Sequence, residues 1–473
     1  MRKIALAILF TLITSPAWAT TYYLAPASGG GNDSNNGTSA SAPWLTPNHA
    51  VTCGDTITAT ASASYLAANF QSGHWGTVTC PAGNNVAWLN CATFAACKIN
   101  SSSGDGIAVT ASYWGVQGWE VTTSGVFAGC FSAKPPDNAT TVHHIIFAND
   151  IANGCSSGGV VSYIMGTGSV DYLAFVGNIV YNGAQDGSYC YSGISIFEPH
   201  NVDALPGTHI YIAGNLTYNN VEPNPCAGGI PTDGEGIILD TFDAQPYTGQ
   251  TVVDNNIAIF NGRAGFETGG RGTTSAKIYF RHNTAYGNNT DSAINNTACG
   301  GDMMFLAGTG NTSQAEMFFN LSRTSAATGC NGSAYYAFFV YRGDGTDNIY
   351  NNWGYGVGGN NTSSSNSGTF SFGTNNTLGV DPVFANATDP GAPSCGGFTS
   401  VPACMATVIA NFTPTVAAAK AYGYQIPLTT AVYDPLFPRW LCNVNLPTGL
   451  VTMGCLAASS LPASPTITRV TVQ

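Results

Sequence analysis

The sequence predicts an all-β chain coiled into a parallel β-helix, and three observations carry this. First, "HHIIFANDIANG", "DYLAFVGNIVYNG", "THIYIAGNLTYNN", "QTVVDNNIAIFNG" and "AKIYFRHNTAYGN" share one pattern: alternating apolar residues, an Asn, then a second short apolar run. The shared Asn residues, Asn149, Asn178, Asn215, Asn256 and Asn283, are spaced 29, 37, 41 and 27 apart. Periods of this size mark stacked repeats, and loops of differing length explain the variation. Second, another strand follows each segment: "GGVVSYIM", "SGISIFE", "GEGIILDTF", "AGFETGG" and "GGDMMFLAG". Third, Gly, Asn, Ser and Thr are abundant while few windows show helical periodicity. Two or three short strands per repeat with no helix between them imply rungs stacked about 4.8 Å apart. The Asn residues are expected to form an internal amide ladder at the bend. Asn and Gly also tolerate the left-handed backbone that such bends need. A propeller would need regular spacing and hairpins, which are not evident.

The chain opens "MRKIALAILFTLITSPAWAT". Arg2 and Lys3, an apolar run from Ile4 to Ile13 and the small-x-small Ala17-Trp18-Ala19 read as a secretory signal peptide over 1–19. The run is too short to span a bilayer. Export to the extracellular space or periplasm is expected, with a soluble, monomeric mature protein. Loss of Arg2 and Lys3 takes the formal charge from −12 to −14. An acidic surface with 8% charged residues argues against nucleic acid, which needs clustered Lys and Arg, and against anionic membranes.

Fourteen Cys follow the signal peptide, and export makes disulfides the expectation. Local pairing would join Cys53 to Cys80, Cys91 to Cys97, Cys130 to Cys155, Cys190 to Cys226, Cys299 to Cys330, Cys395 to Cys404 and Cys442 to Cys455. No Cys-x-x-Cys occurs and the seven His are scattered, which speaks against structural zinc. The expected layout is an N-terminal cap with first strands over 20–95, the β-helix over 96–384, and a Pro- and Cys-bearing cap and tail over 385–473 that covers the last rung.

Strand parity assigns the faces. In the first strand of each repeat Leu173, Phe175, Ile210, Ile212, Ile278 and Phe280 face inward. Asp254 and Arg281 face outward on successive rungs and should form an ion pair. The column His143, Tyr172, His209, Gln250 and Lys277 also faces outward, where it can line a sugar groove or be ordinary surface. In the second strand Ile194, Ile196, Ile237 and Leu239 face inward, and Asp240 and Glu267 face outward as diagonal neighbours, with Cβ atoms about 7–8 Å apart. Two such carboxylates are the raw material of glycoside hydrolysis, one as acid and one as base or nucleophile. Arg263, Arg271, Lys277 and Arg281 gather basic charge nearby, as a substrate site or as structural ion pairing. Asp233 and Glu235, in the turn before the strand, can ligate calcium together with Asp240 or be solvated turn acids. Asp243 reads as turn chemistry.

"TYYLAPASGGGNDSNNGTSASAPWLTPNHA" followed by "CGDTI", and "DPVF" at 381–384, resemble the opening and last rung of secreted right-handed parallel β-helix proteins of the pectate-lyase-like superfamily. The resemblance runs from about Thr21 to Phe384. It implies a solenoid groove and a carbohydrate-active protein, hydrolase or lyase, acting on a polysaccharide. The superfamily also holds non-catalytic adhesive members, which are the alternative. "GFETGG" resembles a Gly-Phe-Lys-x-Gly-Gly strand that carries the base of one pectate lyase family, but Glu267 stands at that base position. The paired Asp before the preceding strand are Gly234 and Glu235 here, and Ile238 stands at a third ligand position. The calcium-dependent lyase site does not carry over intact. Asp240 and Glu267 are therefore expected as the catalytic pair, with Arg271 orienting or neutralising substrate. Arg281, Lys277, His209 and Asp254 are expected to bind substrate.

Overall fold

The structure is a computed structural model. It describes residues 19–80, 85–186, 189–222, 232–242, 247–269, 277–291, 300–306, 314–326, 332–341, 347–365, 370–393, 395–425, 434–442, 444 and 446. The expected signal peptide lies almost wholly outside them.

The strands assemble into three long sheets of twelve, eleven and nine strands. The twelve-stranded sheet runs from Thr21–Leu24 to Phe370–Phe372, the eleven-stranded one from Ala63–Tyr65 to Thr377–Leu378, and the nine-stranded one from Ile107–Val109 to Thr362–Ser365. Neighbouring strands pair in parallel and lie one rung apart in the chain, as Val170–Val176, Thr208–Ala213, Gln250–Asp254 and Lys277–Arg281 do. One strand per sheet per rung is a parallel β-helix, the fold class expected.

The interior is built from the residues whose parity pointed inward. Phe175, Ile212, Val253, Phe280 and Met317 stack in register, and none is exposed. Ile194, Ile196, Ile237 and Leu239 face them from the nine-stranded sheet in the same cluster. Each such side chain contributes about 1.5–3 kcal/mol by burial.

The expected Asn ladder is present. Asn178, Asn215, Asn256, Asn283, Asn320 and Asn352 each donate from Nδ2 to the Oδ1 of the next Asn at 2.9–3.2 Å, ending at Asn376. Asn149 is the correction. Its place in the ladder belongs to Asp150, whose N–H donates to Asn178 Oδ1 at 3.0 Å. Asn149 instead takes a left-handed φ of 60° and accepts the Val401 N–H at 2.5 Å. A second ladder, at the turn into the nine-stranded sheet, joins Asn220, Asn261, Asn288 and Asp302 at 2.9–3.0 Å. This turn also explains its Gly residues. A Cβ on Gly236 would lie 2.5 Å from Thr217 Oγ1, and one on Gly193 would lie 2.6 Å from Asn220 Nδ2.

Cys53–Cys80, Cys91–Cys97, Cys130–Cys155 and Cys395–Cys404 are bonded as expected. Cys190 and Cys442 are also disulfide-bonded. Cys226, Cys299, Cys330 and Cys455 lie outside the described residues.

The described part of 385–473 is not confined to the last rung. The helix Val401–Asn411 starts at Ser400, whose Oγ accepts the Ala403 N–H. Its Val401 and Met405 cluster with Ile151, Ile179, Leu216 and Ile257 on the outer face of the eleven-stranded sheet. Further on, Phe437, Trp440 and Leu441 cluster with Ile146, Ala174, Tyr211 and Ala213 outside the twelve-stranded sheet. The physical reason is that these outward columns are apolar and must be covered. Among the described residues no helix is long and apolar enough to cross a membrane.

Candidate functional site

The nine-stranded sheet carries the acids on its outer face. Val161, Ser195, Ile238, Glu267 and Met304 form one outward column in register. Two residues along, Phe197 pairs with Asp240. Parity therefore places Asp240 and Glu267 on the same face of consecutive rungs, as expected. Each is engaged by a different partner. Glu267 is 1% exposed and lies beneath Arg263, whose Nη1 is 3.2 Å from its Oε2. Asp240 is half-buried beside Gly269, where its own hydroxyl neighbour Thr241 donates to Oδ1 at 2.7 Å.

Arg263 organises the floor of the site. Its Nη1 lies 2.6 Å from Glu235 Oε1 and also donates to the Thr232 carbonyl. Glu235 Oε2 accepts from Ser192 Oγ at 2.5 Å. Burial alone would lower the guanidinium pKa, but the Glu267, Glu235 and Asp233 carboxylates hold it up. Glu267 is driven the other way. Burial pushes its carboxyl well up and Arg263 only partly opposes this, while Glu235 adds repulsion.

Above this floor stand three more acids. Glu222 accepts the Tyr191 N–H at 2.5 Å, and burial, with Asp233 second, lifts its carboxyl to about 9. Asp233 is half-buried. Burial and then the charges of Glu235 and Asp240 raise it to about 8. Asp240 is raised to about 6, by burial first, against the Thr241 hydroxyl that lowers it.

Asp233 and Asp240 both line a cavity of about 330 Å³, together with the rings of Phe127, Tyr163, Tyr189, Tyr191 and Phe197. No Lys, Arg or His is among its lining residues as described. Asp233 was expected with Glu235 and Asp240 at a metal site, and its sharing of an aromatic-walled cavity with Asp240 was not foreseen. The signal was its position two residues before Glu235, on the turn that feeds the Asp240 strand.

Arg271 and Asp243 fall outside the described residues. His209, Asp254, Lys277 and Arg281 belong to the twelve-stranded sheet, on a different face. Arg281 and Asp254 do pair, at 2.7 Å. However, Asp434 from the tail closes on the same guanidinium, and Phe437 packs on Tyr211 beside it. His209 is 1% exposed, with Nδ1 3.0 Å from Asp171 Oδ1. Burial disfavours its protonation, but Asp171 outweighs this and raises its pKa. The expected groove column is a closed stack of Tyr113, His144, Tyr172 and His209 at 4.8, 4.5 and 3.9 Å. His144 fills the place expected for His143, because Asp150 and not Asn149 holds the ladder position and the register shifts by one residue. Lys277 is exposed at the start of its strand.

Calcium does not fit the acids as they are placed. Both Glu235 oxygens are engaged, by Arg263 and by Ser192. Among the described residues no group of three or more His, Cys, Asp or Glu is arranged to hold a metal.

No family model matches the chain, and no curated protein matches it. Several solved structures are similar to it. Pectate lyase Pel9A is 17% identical over 78% of this chain and 83% of that one, with a TM-score of 0.46. The GH136 lacto-N-biosidase from Eubacterium ramulus is 12% identical over 76% and 68%, with a TM-score of 0.44. XylC in complex with xylose is 11% identical over 78% and 88%, with a TM-score of 0.42. These likenesses are distant, and the parallel β-helix stands on this chain's own strand order and register.

Proposed function

We propose that the chain is an exported, carbohydrate-active protein that hydrolyses glycosidic bonds, with Asp233 as general acid and Asp240 as general base or nucleophile. The observation that carries this is two carboxyl groups sharing one cavity walled by aromatic rings. Asp233, raised to about 8, holds a proton at neutral pH and can give it to the leaving oxygen. Asp240, raised to about 6, is ionised there. It takes a proton from the attacking water or adds to the anomeric carbon itself. The net reaction adds one water across the bond, and Asp233 recovers its proton when the cycle closes. Elimination at a uronate is less well served, because it needs a base together with a cation to neutralise the sugar carboxylate, and among the described residues the cavity lining holds no cation. The disulfides support an oxidising compartment.

Incubation with a panel of polysaccharides tests the reading. New reducing ends without unsaturated products support hydrolysis, and the anomer released identifies the role of Asp240. Unsaturated products would assign a lyase. Saturable retention without turnover would assign a non-catalytic binding protein.

A further inference from the structure

Phe127 and Tyr189 stand at the cavity wall with 51% and 50% of their surfaces exposed. Large apolar side chains are seldom left this open without a use when they adjoin one another. Their ring centroids are 4.6 Å apart, tilted by 48°. The backbone beneath Phe127 is held in an unfavoured state. Its φ is 59°, a left-handed value that a residue with a bulky side chain rarely adopts. Its N–H donates to Asp186 Oδ2 at 3.0 Å, a contact that reaches 59 residues along the chain. Asp186 is itself tied to the Ser156 carbonyl through its N–H at 2.5 Å. A ring displayed on a strained backbone, with a long-range anchor to hold it, is positioned and not merely left over.

We propose that Phe127 and Tyr189 form a stacking platform for one ring of an uncharged sugar chain, and that the cavity selects neutral over uronate or amino-sugar polymers. This deepens, and rests on, the hydrolase reading of the same cavity. An aromatic face offers area for the apolar C–H face of a sugar ring at little entropic cost. Among the described residues the charged groups lining the cavity are acids, Asp233 and Asp240, so a uronate carboxylate would meet repulsion from them. Arg263, a buried cation on the turn before the Glu267 strand, is engaged by Glu235 and Glu267. An ammonium sugar would bind as a counter-ion to Asp233 and force it to ionise, which removes the proton that cleavage needs. The cavity's volume of about 330 Å³ lies at the lower end of small-ligand pockets, which suits a short stretch of chain.

The test measures binding and turnover separately on the full chain. Neutral oligosaccharides (xylo-, manno- and cello-series), oligogalacturonates and deacetylated chito-oligosaccharides are titrated against wild type, Phe127→Ala, Tyr189→Ala and Asp240→Asn. The expected result is saturable binding of at least one neutral series, weakened about 10-fold or more by each aromatic substitution. Melting temperature should stay unchanged in both, and Asp240→Asn should retain binding. Preference for the uronate series, faster turnover of the amino-sugar series than of any neutral one, equal binding in the aromatic variants, or no binding by wild type to any series would each overturn the platform. Failure of the hydrolase reading is distinct: neutral sugars bind through the two rings but no bond is cut.

Discussion

Arg263 and Glu235 form a buried ion pair at 2.6 Å beneath the candidate site, with 6% and 0% of their surfaces exposed. Glu267 approaches the same Nη1, with its Oε2 at 3.2 Å. One cation thus holds together the turns before two successive strands of the nine-stranded sheet. Such a pair adds little over a well-packed apolar core, but breaking it leaves uncompensated charge.

Arg263→Met should therefore destabilise the fold by about 3–5 kcal/mol. The deficit should be larger at pH 8 than at pH 5. Glu267 is already inclined to hold its proton, and lower pH favours that neutral form. Urea denaturation at the two pH values measures both. A deficit equal at both pH values would mean that lost packing, not stranded charge, dominates.

The ladder makes a second prediction. Asn256 Nδ2 donates to Asn283 Oδ1 and to the Ile212 carbonyl, and its Oδ1 accepts from Asn215 Nδ2 and N–H. Asn256→Ala strands several buried partners, each costing about 1–3 kcal/mol. A loss of at least 3 kcal/mol, or failure to fold, is expected. Asn256→Asp should be nearly as damaging, since a carboxylate cannot donate. Thermal melts of the two variants check this.

What could be read in the sequence follows from period and parity. Leu173, Phe175, Ile210 and Ile212 alternate, so their inward placement followed from strand geometry alone. The ladder was legible because the same residue type recurs at the same point of each rung. Asn149 misled because "AND" offers two candidates one residue apart, and only the register with Asn178 chooses Asp150. The second ladder was visible in outline as the Asn or Gly closing each segment, but loops of different length blurred its alignment. The site was harder. Parity gave the face of Asp240 and Glu267 but not what lies over them. Arg263, Glu235 and Asp233 come from turns, whose side-chain directions follow no period. The tail that closes on Arg281 is separated from it by 153 residues, and no local pattern announces that contact.

Asp302 ends the second ladder as a buried acid. Its Oδ1 accepts from Asn288 Nδ2 and Tyr335 OH at 3.0 Å, and its Oδ2 is buried without a hydrogen-bond partner. Burial lifts its carboxyl to about 7, against an ordinary 3.8, with the bonds from Asn288 and Tyr335 opposing in part. A carboxyl raised on folding stabilises fully below its unfolded pKa, and that contribution is lost as pH rises through the folded value. The window runs from about 4 to about 7, and up to about 4 kcal/mol is at stake at 1.36 kcal/mol per unit. Asp302→Asn keeps the acceptor and removes the charge. It should match wild type near pH 3.5 and exceed it in stability at pH 8. Stability curves of both proteins across this range decide the matter, and parallel curves would clear Asp302 of the effect.

The acids of the cavity set the last prediction, which separates two pairings. If Asp233 and Asp240 are the working groups, activity should rise as pH climbs through about 6, where Asp240 ionises. It should fall above about 8, where Asp233 loses its proton. A bell-shaped kcat/KM with those limbs reports the pair. Asp233→Asn and Asp240→Asn should each lower turnover about 10²–10⁴-fold with little change in melting temperature. Glu267→Gln should keep turnover within about tenfold, since Glu267 lies under Arg263 and outside the cavity wall, and should cost stability instead. Were Glu267 the proton-transfer partner of Asp240, as strand parity first suggested, this variant would lose activity as heavily as Asp240→Asn. Rates of the three variants on one cleaved oligosaccharide, each measured across pH 4–9, distinguish the pairings. Near-normal turnover in Asp233→Asn would remove Asp233 from the mechanism and leave its raised carboxyl a consequence of crowding among Glu235 and Asp240.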